Sequence, residues 1–185
     1  MSCCKAFFYY YTKKAGLIMK YIYVTSGTEH YLRQILAENP TEQIMLLQNY
    51  SNVVLLHESA EPSVFKEENT FRMLQSKGKI KGFGFVTFEY VMVRDEEVPV
   101  FLELYHKMVK PLEETPGLQC FQLGESTKRS QFLILTFWDS EKYYQAFKTT
   151  PYHAKVIEMM ESNNTQIGFS HIDTYHFPEF AHDAK

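Results

Sequence analysis

Residues 116–153, PGLQCFQLGESTKRSQFLILTFWDSEKYYQAFKTTPYH, decide the fold of this chain. A Pro-Gly turn signal opens the stretch, and the apolar runs 118–124 and 131–138 predict two strands. The polar segment 125–130 between them predicts a reversal of the chain. A helix rich in aromatic side chains is expected from Ser140 onward. The stretch therefore predicts a hairpin followed directly by a helix.

The composition is that of a globular protein. The chain has 185 residues, of which 45% are hydrophobic and 22% charged, so it can bury a core as one domain or as two small ones. Its net charge of -3 gives no reason to expect nucleic acid or an anionic membrane as a partner. The aromatic share of 16% fits either an aromatic core or a pocket lined by aromatic rings.

The cysteines favour a reducing compartment. The chain has three, at positions 3, 4 and 120, an odd number without the spacing of a zinc site. A cytoplasmic protein is the simplest interpretation, with Cys120 as a buried and unreactive thiol. No apolar run approaches the roughly 18 residues that a membrane-spanning helix needs.

Residues 1–18 look unlike the rest of the chain. A clean strand pattern opens at Met19, and the Lys-Lys-Ala-Gly sequence at 13–16 must be encoded by purine-rich codons where a ribosome-binding site would lie. We therefore expect Met19 to be the true start and residues 1–18 to be a non-native or disordered extension. The intact mass of the natively expressed protein tests this expectation.

The first half of the remaining chain alternates strands and helices. Residues 20–25 read as a strand, and Thr28 is placed to cap the helix that follows. Two apolar runs, 44–48 and 53–57, predict a hairpin. A short helix is expected over 68–75.

The second half repeats this order more completely. A long strand at 83–94 precedes a helix with Pro99 in its first turn. After the hairpin, helices are expected from Ser140 and from Pro151, and 171–177 reads as the last strand. The order βαββα followed by βαββαβ predicts an α+β fold built from two ferredoxin-like repeats.

The hairpin, the Trp-Asp-Ser-Glu sequence at 138–141 and the aromatic helix resemble the antibiotic-biosynthesis-monooxygenase (ABM) family. From Met19 onward the chain resembles a narrower group, the Isd- and HmoB-type haem-degrading monooxygenases. The segments MKYIYVTSGTEHYL (19–32) and NPTEQIMLLQ (39–48) look like the leading half of two-part members. The regulatory protein TRAP has a similar two-part layout, and layout alone does not separate the two.

The resemblance implies a domain organisation. ABM proteins build a barrel from two ferredoxin-like units in two chains, and this chain would supply both units as a pseudo-dimer, with a monomer as the expected state. The boundaries are then an N-terminal extension at 1–18, an N-terminal ferredoxin-like half at 19–80, a C-terminal ABM domain at 81–178 and a tail at 179–185.

The resemblance also implies a reaction. In Isd-type enzymes haem is both substrate and cofactor. Dioxygen and an external electron donor, either a reductase or a small reductant, open the porphyrin ring, give a bilin-type product and release iron.

The site residues of the family are only partly present. The strand asparagine of the family falls at Tyr90, whose hydroxyl can also donate a hydrogen bond. The helix tryptophan that distorts the porphyrin falls at Phe147. The histidine that ligates iron falls near Val156 or Ile157, neither of which can bind a metal. His153, one helical turn earlier, is the nearest candidate ligand.

Other residues complete the predicted haem site. Trp138 is either core or part of an aromatic constellation with Phe88 and Tyr90, which share one face of their strand. His106 and Lys107 could meet a haem propionate, although a solvated helix face is the commoner reason for such residues. His171 and His176 are further candidates for the iron ligand.

Three function classes remain open on the sequence. The first is a haem-degrading monooxygenase with a non-standard active site. The second is a cofactor-free ABM oxygenase that acts on a quinol or a polycyclic aromatic, for which the missing histidine is no difficulty. The third is a non-enzymatic haem-binding protein or a TRAP-like regulator.

Overall fold

The computed structural model of the chain describes residues 19–163 and 168–178. The expected extension at 1–18 and the expected tail at 179–185 lie outside the described residues. Within the described part, no helix is both long enough and apolar enough to cross a membrane.

The described residues form an α+β fold, as predicted. The strands are β1 Tyr21–Gly27, β2 Ile44–Gln48, β3 Val53–Ser59, β4 Asn69–Gly78, β5 Phe85–Met92, β6 Leu118–Ser126, β7 Gln131–Trp138 and β8 His171–His176. The α-helices are α1 Glu29–Glu38, α2 Val98–Glu113, α3 Glu141–Lys148 and α4 Pro151–Asn163, and a 3-10 turn at Asp95–Glu97 precedes α2.

All strand pairings are antiparallel, and the strands close into a barrel in the order β1-β3-β2-β8-β5-β7-β6-β4. The strands of each half have the same relative order, β4-β1-β3-β2 in the first half and β8-β5-β7-β6 in the second. The two halves join where β4 pairs with β6 and where β2 pairs with β8.

One predicted element is wrong. The stretch expected to be a helix over 68–75 is strand β4, so the first half is βαβββ. The Met, Leu and Gln residues of this segment favour a helix only weakly. Hydrogen bonding to strands β1 and β6, one on each side, outweighs that preference. Phe71 gains a place in the barrel interior, where it is 1% exposed.

Two local signals are confirmed. The Thr28 hydroxyl accepts a hydrogen bond from the backbone N–H of Tyr31 at 3.4 Å, which caps α1. A proline, Pro99, occupies the first turn of α2, where its missing N–H leaves no helical bond unmade.

The core has three layers. Side chains of both halves fill the barrel interior. Helices α2, α3 and α4 cover the outer face of the second half. We call the buried side chains between these helices and the sheet the C-terminal helix layer. Helix α1 and the loop before β4 cover the outer face of the first half, the N-terminal helix layer. Strand β5 lies between the interior and the C-terminal helix layer, so all eight of its residues are buried.

Candidate functional site

A buried carboxylate marks the C-terminal helix layer. Glu89 lies on β5, FVTFEYVM, and is 3% exposed. Because successive strand residues point to opposite faces, Glu89 shares the outer face with Phe85 and Thr87. A charged residue is expensive to bury without partners, so its contacts are informative.

Glu89 contacts two side chains from different helices. The Nε2 atom of His153, on α4, lies 3.2 Å from Glu89 Oε1. The Tyr144 hydroxyl, on α3, donates to the same oxygen at 3.4 Å. A carboxylate, an imidazole and a phenol thus meet inside the protein.

The two buried phenols of this layer stay neutral. Burial, followed by the charge of Glu89, raises the pKa of Tyr144 above its usual value of 10.0, so its hydroxyl remains a donor. Burial also raises the pKa of Tyr105, on α2. The Tyr105 hydroxyl is buried and has no hydrogen-bond partner among the described residues. It is therefore a donor available to a guest in this layer.

Aromatic rings surround the histidine. The ring of Phe147 lies 5.4 Å from that of Trp138 and 5.4 Å from that of His153. The indole N–H of Trp138 donates to Thr136 Oγ1 at 2.6 Å, and this hydroxyl lies 2.5 Å from Thr87 Oγ1. The Thr136 hydroxyl therefore satisfies the buried indole N–H and holds Trp138 against the aromatic cluster.

Local structure fixes the position of His153. It lies in the first turn of α4, and its backbone N–H donates to the Thr150 hydroxyl at 3.4 Å, as in an N-terminal cap. Pro151 follows Thr150 as the first helical residue. Side chains of a first turn point back toward the start of the helix, here toward β5.

The structure does not bring the predicted site residues together. Phe147, Trp138 and His153 meet in the C-terminal helix layer, whereas Tyr90 and Phe88 lie in the barrel interior, on the opposite face of β5. Tyr90 stacks on His171 with ring centres 4.6 Å apart. The predicted aromatic constellation is therefore split by the sheet.

The predicted propionate contacts lie elsewhere again. His106 and Lys107 are exposed on α2. The Lys107 ammonium pairs with Glu103 Oε1 at 2.7 Å, one turn away on the same helix. Neither residue contacts Glu89, and both lie on the solvated helix face that was the alternative interpretation. Val156, at the family's histidine position, is 2% exposed in the helix layer.

Sequence reasoning missed Glu89, Tyr144 and Tyr105. It placed the strand contact at Tyr90, which lies on the interior face of β5, opposite to Glu89. A strand buried on both sides has no polar face to set its orientation. The available signal was the single acidic residue in an otherwise apolar and hydroxyl-bearing strand.

Comparison with known proteins places the chain in a family. The sequence model of the antibiotic biosynthesis monooxygenase family matches residues 85–159, which span β5 to α4. A heme-degrading monooxygenase of Listeria monocytogenes is 48% identical over 167 residues, which cover 90% of this chain and 100% of the relative. The crystal structure of a heme-degrading enzyme from Listeria monocytogenes superposes with a TM-score of 0.76 at 44% identity, covering 85% of this chain and 99% of that one.

A regulator is more distantly similar. The signal transduction protein TRAP of Staphylococcus epidermidis is 23% identical over 131 residues, 70% of this chain and 78% of the relative. The fold, the matched ABM segment and the 48% identity define an ABM-type oxygenase with an added N-terminal half. The chain belongs to the same family as the Listeria heme-degrading monooxygenase.

Proposed function

We propose that this protein is a haem-degrading monooxygenase, which opens the porphyrin ring with dioxygen and electrons from an external donor and releases a bilin-type product and iron. One observation carries the proposal. The buried cluster of Glu89, Tyr144 and His153 lies inside the ABM segment of a chain that is 48% identical to a heme-degrading monooxygenase over that relative's full length.

The side chains of the C-terminal helix layer fit haem. An imidazole is a common iron ligand, and flat aromatic rings pack well on a macrocycle. His153 supplies the imidazole, and Phe147 and Trp138 supply the rings. The unpartnered hydroxyl of Tyr105 supplies a donor that the protein alone leaves unused.

Haem enters this layer only if the helices move. Glu89, His153 and Phe147 are 3, 3 and 4% exposed, and their side chains fill the space between sheet and helices. Helices α3 and α4 are joined by a short turn at Thr149 and Thr150, so they can leave β5 and β7 as a pair. Binding therefore exchanges contacts among aromatic rings for contacts with the macrocycle.

The residues then have distinct roles. Haem supplies the iron centre at which dioxygen is activated. His153 would hold the iron through an unprotonated Nε2, with the ring proton on Nδ1. Glu89, which accepts a hydrogen bond from Tyr144, would accept and return protons during turnover. Phe147 and Trp138 would supply aromatic contacts to the porphyrin.

A non-enzymatic haem-binding or TRAP-like role is the second candidate. The similarity to TRAP over 70% of this chain favours it. Such a protein would bind haem without turnover, or not bind it. A cofactor-free oxygenase would act on its own substrate without binding haem.

We also propose that the two halves form a pseudo-dimer and that the protein acts as a monomer in the cytoplasm. The equal strand order of the two halves and the barrel closed within one chain support the first part. A buried free thiol at Cys120 is in keeping with a reducing compartment. Light scattering should give the mass of one chain, and a tight dimer would contradict the proposal.

The test is a haem titration of the full chain, followed by ascorbate in air, monitored by visible spectroscopy. We expect a stoichiometric Soret band that decays to a bilin spectrum while a ferrous chelator detects released iron. His153→Ala should shift the Soret band, whereas the matched variant His171→Ala should leave it unchanged. A stable band would favour haem storage, and the absence of a band would favour the cofactor-free or regulatory alternatives.

A further inference from the structure

A cavity opens at one end of the barrel, away from the C-terminal helix layer. It has a volume of about 520 Å³, within the range of small-molecule sites. Its lining comes from both halves, from β2, β3 and β4 of the first and β6 of the second, and includes Glu58, Ser76, Cys120 and Gln122.

The deepest polar group in this cavity is an amide with an unused oxygen. Gln122 is 1% exposed, and its Nε2 donates to Glu58 Oε1 at 2.7 Å and to Ser76 Oγ at 3.4 Å. A carboxylate only accepts, so the amide nitrogen must face Glu58, and this fixes the position of Oε1. The Oε1 atom is buried and has no hydrogen-bond partner among residues 19–163 and 168–178.

The remaining walls are neutral or apolar. Burial, followed by the charge of Glu58, raises the pKa of the Cys120 thiol to about 11, so it carries no charge near neutral pH. The cavity is also lined by three partly buried apolar residues, Ile44, Met45 and Ile80. At the mouth, Lys81 is engaged with Asp139 at 2.8 Å.

These groups together specify a ligand class. Two oxygen acceptors, the Glu58 carboxylate and Ser76 Oγ, lie beside the amide nitrogen of Gln122, and the unpartnered Oε1 belongs to the same amide group. An ammonium group donates three hydrogen bonds and carries the charge that complements Glu58. The apolar wall favours a short hydrocarbon body, and Lys79 near the mouth disfavours a second cation on the ligand.

We propose that this cavity binds a small primary amine, with its ammonium group at Glu58 and Gln122 and its apolar body along Met45 and Ile80. The site is distinct from the haem layer because Gln122 faces the barrel interior, whereas its strand neighbours Phe121 and Leu123 face the helices. Binding of the amine therefore does not compete with haem.

The probe is n-hexylamine, with 1-hexanol as its neutral analogue, titrated near neutral pH into the full chain. Calorimetry measures affinity, and the ¹³C-methyl signal of Met45, assigned with Met45→Leu, locates the ligand. We expect saturable one-site binding that shifts the Met45 signal, and hexanol at least about tenfold weaker because it lacks the charge-assisted hydrogen bond.

Three variants decide the assignment. Glu58→Gln should weaken hexylamine binding by about tenfold, while Glu38→Gln, an exposed carboxylate on α1, should leave it unchanged. Ser76→Trp, at an exposed strand position, should abolish binding by filling the cavity. This variant keeps the test decisive if Glu58→Gln does not fold.

The proposal is overturned if hexylamine gives no saturable shift of Met45 or if hexanol binds equally well. Unchanged affinity in Glu58→Gln or in Ser76→Trp, or displacement of the amine by haem, would equally overturn it. The absence of haem turnover would leave the amine result unaffected, so the two proposals fail separately.

Discussion

Both halves of the molecule place a buried histidine beside a glutamate, but they use the pair differently. His153 meets Glu89 in the second half and His57 meets Glu42 in the first, each with 3.2 Å between Nε2 and the carboxylate oxygen. The two histidines are 3 and 1% exposed. In both halves aromatic rings pack around the imidazole.

The difference lies in the carboxylates. The side chain of Glu42 is 40% exposed, so water solvates its charge, whereas that of Glu89 is only 4% exposed. Burying a carboxyl group removes it from water, and this desolvation cost offsets what its contacts gain. The first half shows that a buried histidine in this fold can be partnered by a hydrated carboxylate. The burial of Glu89 is therefore not needed to partner a histidine, which is in keeping with its proposed role in the reaction.

The largest expected effect is on stability. His153→Ala leaves the Glu89 carboxylate buried with Tyr144 alone, so the free energy of unfolding should fall by about 3–5 kcal/mol. The matched change Glu42→Ala removes a partly exposed partner and should lower it by less than about 1 kcal/mol. Urea unfolding followed by circular dichroism measures both. Equal losses would mean that the two pairs are equivalent.

The next effect is on turnover. Glu89→Gln keeps the shape of the side chain but removes its ability to take up protons, so haem degradation should slow by about a hundredfold. Glu42→Gln should leave the rate unchanged. Single-turnover decay of the Soret band with ascorbate gives both rates. Turnover at the normal rate in Glu89→Gln would exclude this carboxylate from the reaction.

A smaller effect distinguishes the two faces of β5. Tyr144→Phe removes one hydrogen bond to Glu89 and should slow turnover by about tenfold, in line with the loss of about 1–1.5 kcal/mol. Tyr90→Phe changes a hydroxyl in the barrel interior and should leave turnover unaffected. Slower turnover in Tyr90→Phe, with normal turnover in Tyr144→Phe, would place the reaction on the interior face of β5, where the sequence pattern put it.

A further effect is on the pH dependence of stability. Burial is the first cause of raised pKa values at Tyr90, Tyr105, Tyr144 and Tyr175, and it raises that of Tyr175 to about 12. Since each folded pKa exceeds the unfolded value of about 10, the native state retains these protons more tightly. Their stabilising effect is complete below pH 10 and is lost as the pH rises through the folded values.

Denaturant unfolding at a series of alkaline pH values measures this loss. A tyrosine-to-phenylalanine change at Tyr144 should reduce the pH dependence, whereas Tyr50→Phe, on an exposed loop, should not. A free energy of unfolding that stays constant from pH 9 to about 12 would contradict the burial of these phenols.

Much of the fold was predictable because it depends on local signals. The Thr28 cap, the turn before β6 and the hairpin of β6 and β7 were each read from a few neighbouring residues. Strand β4 was not, because its partners β1 and β6 lie far away in sequence. The sequence of residues 69–78 alone does not show that this segment pairs with a strand on each side.

The candidate site was predictable only in part, for a related reason. His153, Phe147 and Trp138 follow the hairpin closely, so the family pattern placed them in one layer. Glu89 lies far earlier in the chain, on a strand buried on both faces. Its orientation depends on which side the helices cover, and alternation along the strand alone does not decide that.

The central claim is that haem binds in the C-terminal helix layer and not in the barrel interior. Methyl-labelled methionines report on both places, since Met108 and Met160 lie in the C-terminal helix layer and Met45 and Met73 pack against the interior cluster. Ferric haem, compared with diamagnetic zinc protoporphyrin, should broaden the signals of Met108 and Met160 and spare the other two. Broadening of Met45 and Met73, with Met108 and Met160 unchanged, would contradict the account.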